Sequence, residues 1–382
     1  MEIVDIDVKV VQIGRSFGMT SAVKEIDEST FAFVRLTADD GTTGIGEISD
    51  VEHPESMPNA AEIEAEIGRF LLGEDPREIN RLTAEMYDAI DFGPFDFHSF
   101  QQLALASVDM ALYDLVANRY DVPLYQLLGG RTRDVTACWV VFTSQEPDMI
   151  ESLRKEVETK VAEGFSAFKL KVGEVDPEVD AERIRTVREI AGDDAQIFVD
   201  AQGVWELEEA IETIRYFEPV GIDGVETPVG SPGTDVETSG YYYDIPLVPS
   251  ELATVREAVD TPIFEHVLDP EFGIDLAAED AVDLFTVEVC SGGITRAERI
   301  LSVAESAGID ARLGSTVELG PGTLAAAALG TASTAVTYQC DLIGPLVYDD
   351  SALESAVDYD RGTLHPSDEP GLGCSLGADV FE

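Results

Sequence analysis

"AFKLKV" (167–172) sets two lysines on alternate positions of one short apolar run. A period of two puts Lys169 and Lys171 on the same face of a strand. The chain is sparing with lysine: it has six, at 9, 24, 155, 160, 169 and 171, and none beyond 171. Placing two of them side by side on a strand asks for a reason.

The run is one of a series. "VTACWVVF" (135–142), "QIFVDA" (196–201), "GVE" (224–226), "TPIFE" (261–265), "LFTVEV" (284–289), "DARLGS" (310–315) and "AVTYQC" (335–340) read as further strands. Amphipathic helix-length segments such as "DPEVDAERIRTVREIAG" and "ITRAERILSVAESAG" lie between most of them. Eight such units in about 210 residues predict an α/β fold with a parallel barrel. A doubly wound open sheet lacks support, because no Gly-rich phosphate loop follows the first strand.

Before the barrel, residues 1 to about 50 alternate in period two with a "DDG" turn, which predicts an antiparallel meander. Helical periodicity follows to about 130. The expected organisation is an α+β capping domain over 1–130 and a catalytic barrel over 131–345. A turn-rich tail, 346–382, should pack back on the cap. The connection after "VETP", from 229 to about 249, is long and rich in Gly, Pro and Tyr, and reads as a lid or a subunit contact.

Acidic residues number 76 against 24 basic ones, for a formal net charge of −52. Hydrophobic content of 45% is enough for a real core, so the charge does not signal disorder. It repels nucleic acid and anionic membranes, and surface carboxylates interspersed among apolar positions suit a haloadapted, halophilic protein. Four cysteines (138, 290, 340, 374) show no metal spacing and read as free thiols. No apolar run reaches the roughly 18 residues of a membrane span, and no signal peptide opens the chain. These features predict a soluble cytoplasmic protein.

In a parallel barrel the C-terminal strand ends line one site. Those positions hold Lys169, Lys171, Asp200, Glu226, Glu265, Glu288 and Asp341. Any one alone reads as a strand-end residue meeting solvent; recurrence on successive strands aims them at one centre. Three carboxylates from adjacent strands, with oxygen-only donors, suit Mg²⁺ or Mn²⁺ rather than Zn²⁺. A neutral lysine beside such a cation is a base for the carbon next to a carboxylate, and the metal would stabilise the enediolate that results. The competing reading of the lysine pair is a salt bridge with a neighbouring strand-end acid.

Several stretches in order resemble the enolase superfamily, in its muconate-lactonizing and mandelate-racemase-like branch. They are "DDGTTGIGEI", "ALASVDMALYDLVANRYDVPLYQLLGG", "FKLKVG", "VDAQGVW", "VETP", "ELATVREAVDTPIFE", "VEVCSGGITRA", "LGSTVELGPG", "DLIGPLVY" and "PGLG". The resemblance covers nearly the whole length and implies a (β/α)7β TIM-like barrel with an α+β cap. It implies Mg²⁺ ligands at Asp200, Glu226 and Glu265, the base at Lys171, and Lys169 tuning that base and steadying the substrate carboxylate. Asp341 stands where muconate-lactonizing enzymes carry a glutamate.

Three departures bear on the reaction. The branch often has a lysine on the sixth strand, where this chain has Glu288, one residue nearer the Gly-Gly. Nor does a histidine stand on the seventh strand: the four are His53, His98, His266 and His365. Gln202 replaces the usual asparagine after the first metal strand. With lysines on one side only, one-face chemistry is expected: an isomerase of muconate cycloisomerase type, or a lyase dehydrating a hydroxy or sugar acid. A racemase or epimerase using Glu288 as the opposite acid, and a non-catalytic barrel in which Glu288 makes a structural ion pair, remain as alternatives. The resemblance also implies a homo-oligomer acting on a small carboxylic acid. Substrate choice should lie in loops 14–22 and 49–58, where His53 reads as an exposed loop histidine.

Overall fold

The structure, a computed structural model, describes residues 1–20, 25–49, 57–93, 99–143, 148–230, 248–348, 353–354 and 357–381. Most of the 229–249 connection, residues 50–56 of the 49–58 loop with His53, and His98 therefore lie outside the described residues.

Strands β1 (Ile3–Thr20), β2 (Glu25–Ala38) and β3 (Thr43–Ile48) form an antiparallel sheet in that order. Helices α1 (Ala60–Leu71), α2 (Ile79–Ala89), α3 (Phe100–Tyr120) and the single turn α4 (Leu124–Leu127) follow. Asn59 and Glu62 exchange reciprocal hydrogen bonds at the start of α1, as "NAAE" before an apolar stripe favours. Residues 101 to 117 of α3 are all buried, because "LALASVDMALYDLVA" is apolar around most of its circumference and cannot lie on a surface. Sheet and helix meet backbone to backbone. A Cβ at Gly46 would stand 1.8 Å from the Ser107 carbonyl oxygen, so only glycine lets β3 lie so close.

A seven-stranded parallel sheet follows, flanked by helices. After the short β4 (Val135–Thr136), its strands are β5 (Trp139–Val141), β6 (Ala167–Lys171), β7 (Gln196–Asp200), β8 (Gly224–Glu226), β9 (Ile263–His266), β10 (Leu284–Val287) and β11 (Asp310–Leu313). The helices between and after them are α5 (Met149–Glu163), α6 (Pro177–Ala191), α7 (Leu207–Phe217), α8 (Pro249–Ala258), α9 (Pro270–Ala278), α10 (Gly293–Ala307) and α11 (Gly320–Ala332).

Two expected strands differ. The run 135–142 splits, because β4 pairs with β13 (Thr363–His365), itself paired with β12 (Asp358–Asp360), and only β5 joins the parallel sheet. The run 335–340 makes isolated parallel bridges, Ala311 with Val336 and Ala137 with Cys340, which link the two edges of the sheet. The architecture is thus an α/β barrel-like fold with an N-terminal cap.

Cap and barrel are tied by buried acids on α3. Asp109 accepts from the backbone N–H and hydroxyl of Thr295 at the start of α10. Asp114 accepts from Ile45 in β3 and from Leu372 near the C-terminus. Burial pushes their carboxyls up, to about 6 and about 7. The tail ends in the single turn α12 (Ala378–Phe381). Among the described residues no helix is long and apolar enough to cross a membrane.

Candidate active site

The barrel interior is layered by strand alternation. Its floor is apolar: Cys138, Ala167, Phe198, Phe264 and Leu284 are fully buried together, with the Phe198 and Phe264 rings 5.4 Å apart. One step up each strand, at alternate positions, the inward residues become polar. Ala167 is followed by Lys169 and Lys171, Phe198 by Asp200, Gly224 by Glu226, Phe264 by His266, and Leu284 by Thr286 and then Glu288. Arg312 on β11 pairs in register with Thr286.

Six of the seven expected site residues meet there. Lys169 Nζ donates to Glu226 Oε2 at 2.6 Å and to Asp341 Oδ2 at 2.5 Å, and lies 3.5 Å from Asp200 Oδ2. Lys171 Nζ donates to Asp200 Oδ2 at 2.5 Å. Lys171 keeps 15% of its side chain exposed at the mouth, while Lys169 is 4% exposed beneath it. Glu226 Oε1 accepts from the Thr286 hydroxyl at 2.6 Å and faces His266 Nε2 at 3.3 Å. Glu288 faces His266 Nδ1 through Oε1 at 3.3 Å and accepts from the Ser291 hydroxyl through Oε2. Asp341 is held from its other oxygen by Arg312, whose guanidinium lies 5.2 Å over the Phe198 ring.

Glu265 is placed elsewhere. It pairs in register with Phe285, which packs on α9 outside the barrel, so its carboxyl faces the helix layer. Its Oε1 accepts from the Thr227 hydroxyl and the His266 backbone N–H, both at 2.8 Å. Burial pushes its carboxyl up to about 8. The strand extends one residue past "TPIFE", and in a period of two that residue, His266, takes the inward place.

The electrostatics follow from crowding four acids, Asp200, Glu226, Glu288 and Asp341, with Lys169, Lys171, Arg312 and His266. Burial alone would raise Glu226, but Lys169, His266 and Arg312 outweigh it and hold its carboxyl well below the usual range. Burial would lower His266, yet the carboxylates of Glu226 and Glu288 raise it.

Supporting contacts that strand-end reading did not single out fix the lysine strand. The buried Arg183 on α6 donates to the Lys171 carbonyl and to Asp180, each at 2.7 Å, and Asp180 accepts from the Gly173 N–H. The only sequence sign of this was an Asp-x-x-Arg spacing on an otherwise solvated helix. Gln202 adopts a left-handed backbone (φ 52°), and its N–H donates to Asp200 Oδ1 at 3.0 Å. Asparagine tolerates that conformation better than glutamine does.

Asp200 and Glu226 are hard oxygen donors, and the Lys169 ammonium spans them as a cation would. As placed, no three His, Cys, Asp or Glu side chains among the described residues are grouped to hold a metal ion. The expected third carboxylate points away, and the third inward donor is an imidazole. Asp200 and Glu226 are the residues that would hold a divalent cation, and as placed their oxygens carry Lys171 and Lys169.

Comparisons with known proteins identify the family. The family model "Enolase C-terminal domain-like" matches residues 152–380, and the "Mandelate racemase / muconate lactonizing enzyme, N-terminal domain" model matches 5–129. The L-Ala-D/L-Glu epimerase of Bacillus subtilis (strain 168) is 29% identical, covering 100% of this chain and 99% of that protein. A chloromuconate cycloisomerase of Pseudomonas putida is 26% identical, over 99% of this chain and 98% of its own length. The dipeptide epimerase of Enterococcus faecalis V583, solved with Mg and L-Leu-L-Tyr, superposes with a TM-score of 0.82 at 25% identity, covering 98% of this chain and all of that one. With both models matched and relatives aligned end to end, the chain is an enzyme of the enolase superfamily, in its mandelate racemase and muconate lactonizing branch.

Proposed function

We propose that this enzyme moves a proton at the carbon alpha to the carboxylate of a small acid, and that its reaction is a cycloisomerisation of muconate-lactonizing type. The observation that carries the reading is one-sidedness. Lys171 reaches the mouth from β6, while Glu288, the residue after β10, is engaged by His266 and Ser291. No lysine follows position 171 that could serve a second face.

In the lactone-opening direction Lys171 Nζ takes the alpha proton, an N–H bond forms as the C–H bond breaks, and the electron pair spreads into the carboxylate. Expulsion of the lactone oxygen then completes an isomerisation that needs no co-reactant. In the closing direction the Lys171 ammonium returns the proton to the same face. A divalent cation, Mg²⁺ or Mn²⁺, held by Asp200 and Glu226 would supply positive charge to the substrate carboxylate. Lys169, anchored between Glu226 and Asp341, keeps a second positive charge below that carboxylate.

An epimerase is the second reading, favoured by the 29% identity to a dipeptide epimerase along the full length. It would use Glu288 on the face opposite Lys171. Dehydration of a hydroxy acid uses the same single base. The same reading takes residues 1–130 as the cap, 131–345 as a complete (β/α)7β barrel, and 346–382 as a tail on the cap. The hydrogen bonds of Gly371 and Leu372 to Val122, Leu124 and Asp114 support the last part.

The test is incubation with Mg²⁺ or Mn²⁺ in D₂O at molar salt with muconate, hydroxy acids, sugar acids and dipeptides, followed by NMR. Alpha-deuteration without inversion, with lactone as product, is expected. Inversion of a dipeptide centre would replace the cycloisomerase reading by the epimerase one.

A further inference from the structure

Lys171 is the last residue of β6. On one side it pairs in register with Asp200 on β7, whereas the ladder between β6 and β5 stops at Leu170 and Val141. We propose that Arg183, reaching in from the helix layer, takes over where that ladder ends and is the positioning residue that holds Lys171 for proton transfer. This rests on the reading of Lys171 as the base given above and concerns what fixes that base in place.

The contacts are specific to the end of the strand. Arg183 Nη1 donates to the Lys171 carbonyl at 2.7 Å and Nη2 to the Phe142 carbonyl at 3.4 Å, so one guanidinium ties the chain just past β5 to the end of β6. The Thr143 hydroxyl donates to the same Lys171 carbonyl at 3.3 Å. Asp180, one turn earlier on α6, sets the guanidinium by accepting from Nη1 at 2.7 Å, and its other oxygen accepts from the Gly173 N–H at 2.9 Å. Arg183 and Asp180 are each 1% exposed, so water does not compete for these bonds, and a planar guanidinium held by a charged partner resists reorientation. Lys169 is fixed by other means. Its backbone pairs with Val140 on β5 and Phe198 on β7, and its ammonium is held by Glu226 and Asp341. Loss of Arg183 should therefore displace Lys171 and leave Lys169, two residues away on the same strand, where it is.

The experiment is ¹³C NMR of the full chain labelled at lysine Cε, at molar KCl. The chain has six lysines, and the two site signals are assigned by Lys169→Ala and Lys171→Ala, so this readout needs no substrate. Arg183→Met combined with Asp180→Asn removes the guanidinium without leaving a buried carboxylate unpaired. In that double variant the Lys171 signal should shift and the Lys169 signal should stay. With muconolactone in D₂O as the probe, kcat for alpha-proton exchange should fall about 10²-fold at unchanged KM, the loss that a misplaced base gives. Arg183→Lys keeps the charge on Asp180 and a donor for the carbonyl, and should recover part of both readouts. If the double variant does not fold, Arg183→Lys carries the same comparison with a smaller shift.

An unmoved Lys171 signal would overturn the proposal whatever the exchange rate. Equal shifts of both lysine signals would overturn it too, because they mark a general loss of structure. Lys171 shifting alone, with exchange as fast as in the unmutated protein, would overturn the role of Arg183 in proton transfer. Lys171 shifting alone, with no exchange even in the unmutated protein, would overturn the proposed reaction and leave the positioning by Arg183 standing.

Discussion

The Nζ of Lys169 lies 2.5 Å from Oδ2 of Asp341, joining β6 to the stretch that follows the final parallel bridges. Both groups are almost wholly buried, and Arg312 holds the other Asp341 oxygen. Removing Asp341 would leave two buried cations short of a partner. Asp341→Ala is expected to cost about 3–5 kcal/mol in urea unfolding, whereas Asp341→Leu combined with Arg312→Met should recover much of that. A cost under about 1 kcal/mol would show that water or Glu226 replaces the lost carboxylate.

Lys171 and Lys155 separate chemistry from charge. Lys171 sits in the mouth on Asp200, while Lys155 is 69% exposed on α5 beside Glu151. Lys171→Ala should lower alpha-proton exchange by about 10²- to 10⁴-fold with an unchanged circular dichroism spectrum. Lys155→Ala should leave exchange as it is. Equal losses in both would remove Lys171 from the role of base.

Glu47 on β3 accepts from the backbone N–H groups of Leu319 and Gly322 on the barrel side. Burial pushes its carboxyl up from 4.5 to about 7. The folded state therefore holds a proton that the unfolded chain has released, so the stability from that proton is full below about 4.5 and lost as pH rises through about 7. Asp114 adds to the same slope from its own raised carboxyl. Denaturation at several pH values should show stability falling across that window. In Glu47→Gln the slope should shrink, on a background lower by about 1 kcal/mol for the mismatched hydrogen bond. An unchanged slope would place the titration in other groups.

The net charge of −52 predicts a salt response. Screening shortens from about 10 Å at 0.1 M to about 3 Å at 1 M, which relieves repulsion among exposed carboxylates. The melting temperature should rise steadily between 0.1 M and 2 M KCl. The buried Lys169–Asp341 pair should contribute equally at both ends, which a mutant cycle at each salt concentration can read. A flat or falling melting temperature would remove the case for a haloadapted surface.

Much of this was legible in the order of residues along the chain. Alternation at "AFKLKV" placed Lys169 and Lys171 on one face, and apolar runs ending in acids marked Asp200 and Glu226, because a period of two is a local property of a strand. Splitting of the 135–142 run was not legible, since it depends on a tail hairpin more than 200 residues away pairing with β4. Arg312 was not legible as a partner of Asp341 either: a lone arginine in a strand carries no mark of what lies across a barrel.

Motif order along the chain carried the family resemblance, periodicity carried the barrel with its cap, and a count of lysines carried their one-sided supply. Which of Glu265 and His266 faces the barrel interior was not readable there. They are neighbours in the chain, and a strand end one residue longer sends one to the helix layer and the other into the site. Which of two adjacent side chains faces inward is set by register with β8 and β10, and register is made by contacts between segments that the linear order does not bring together.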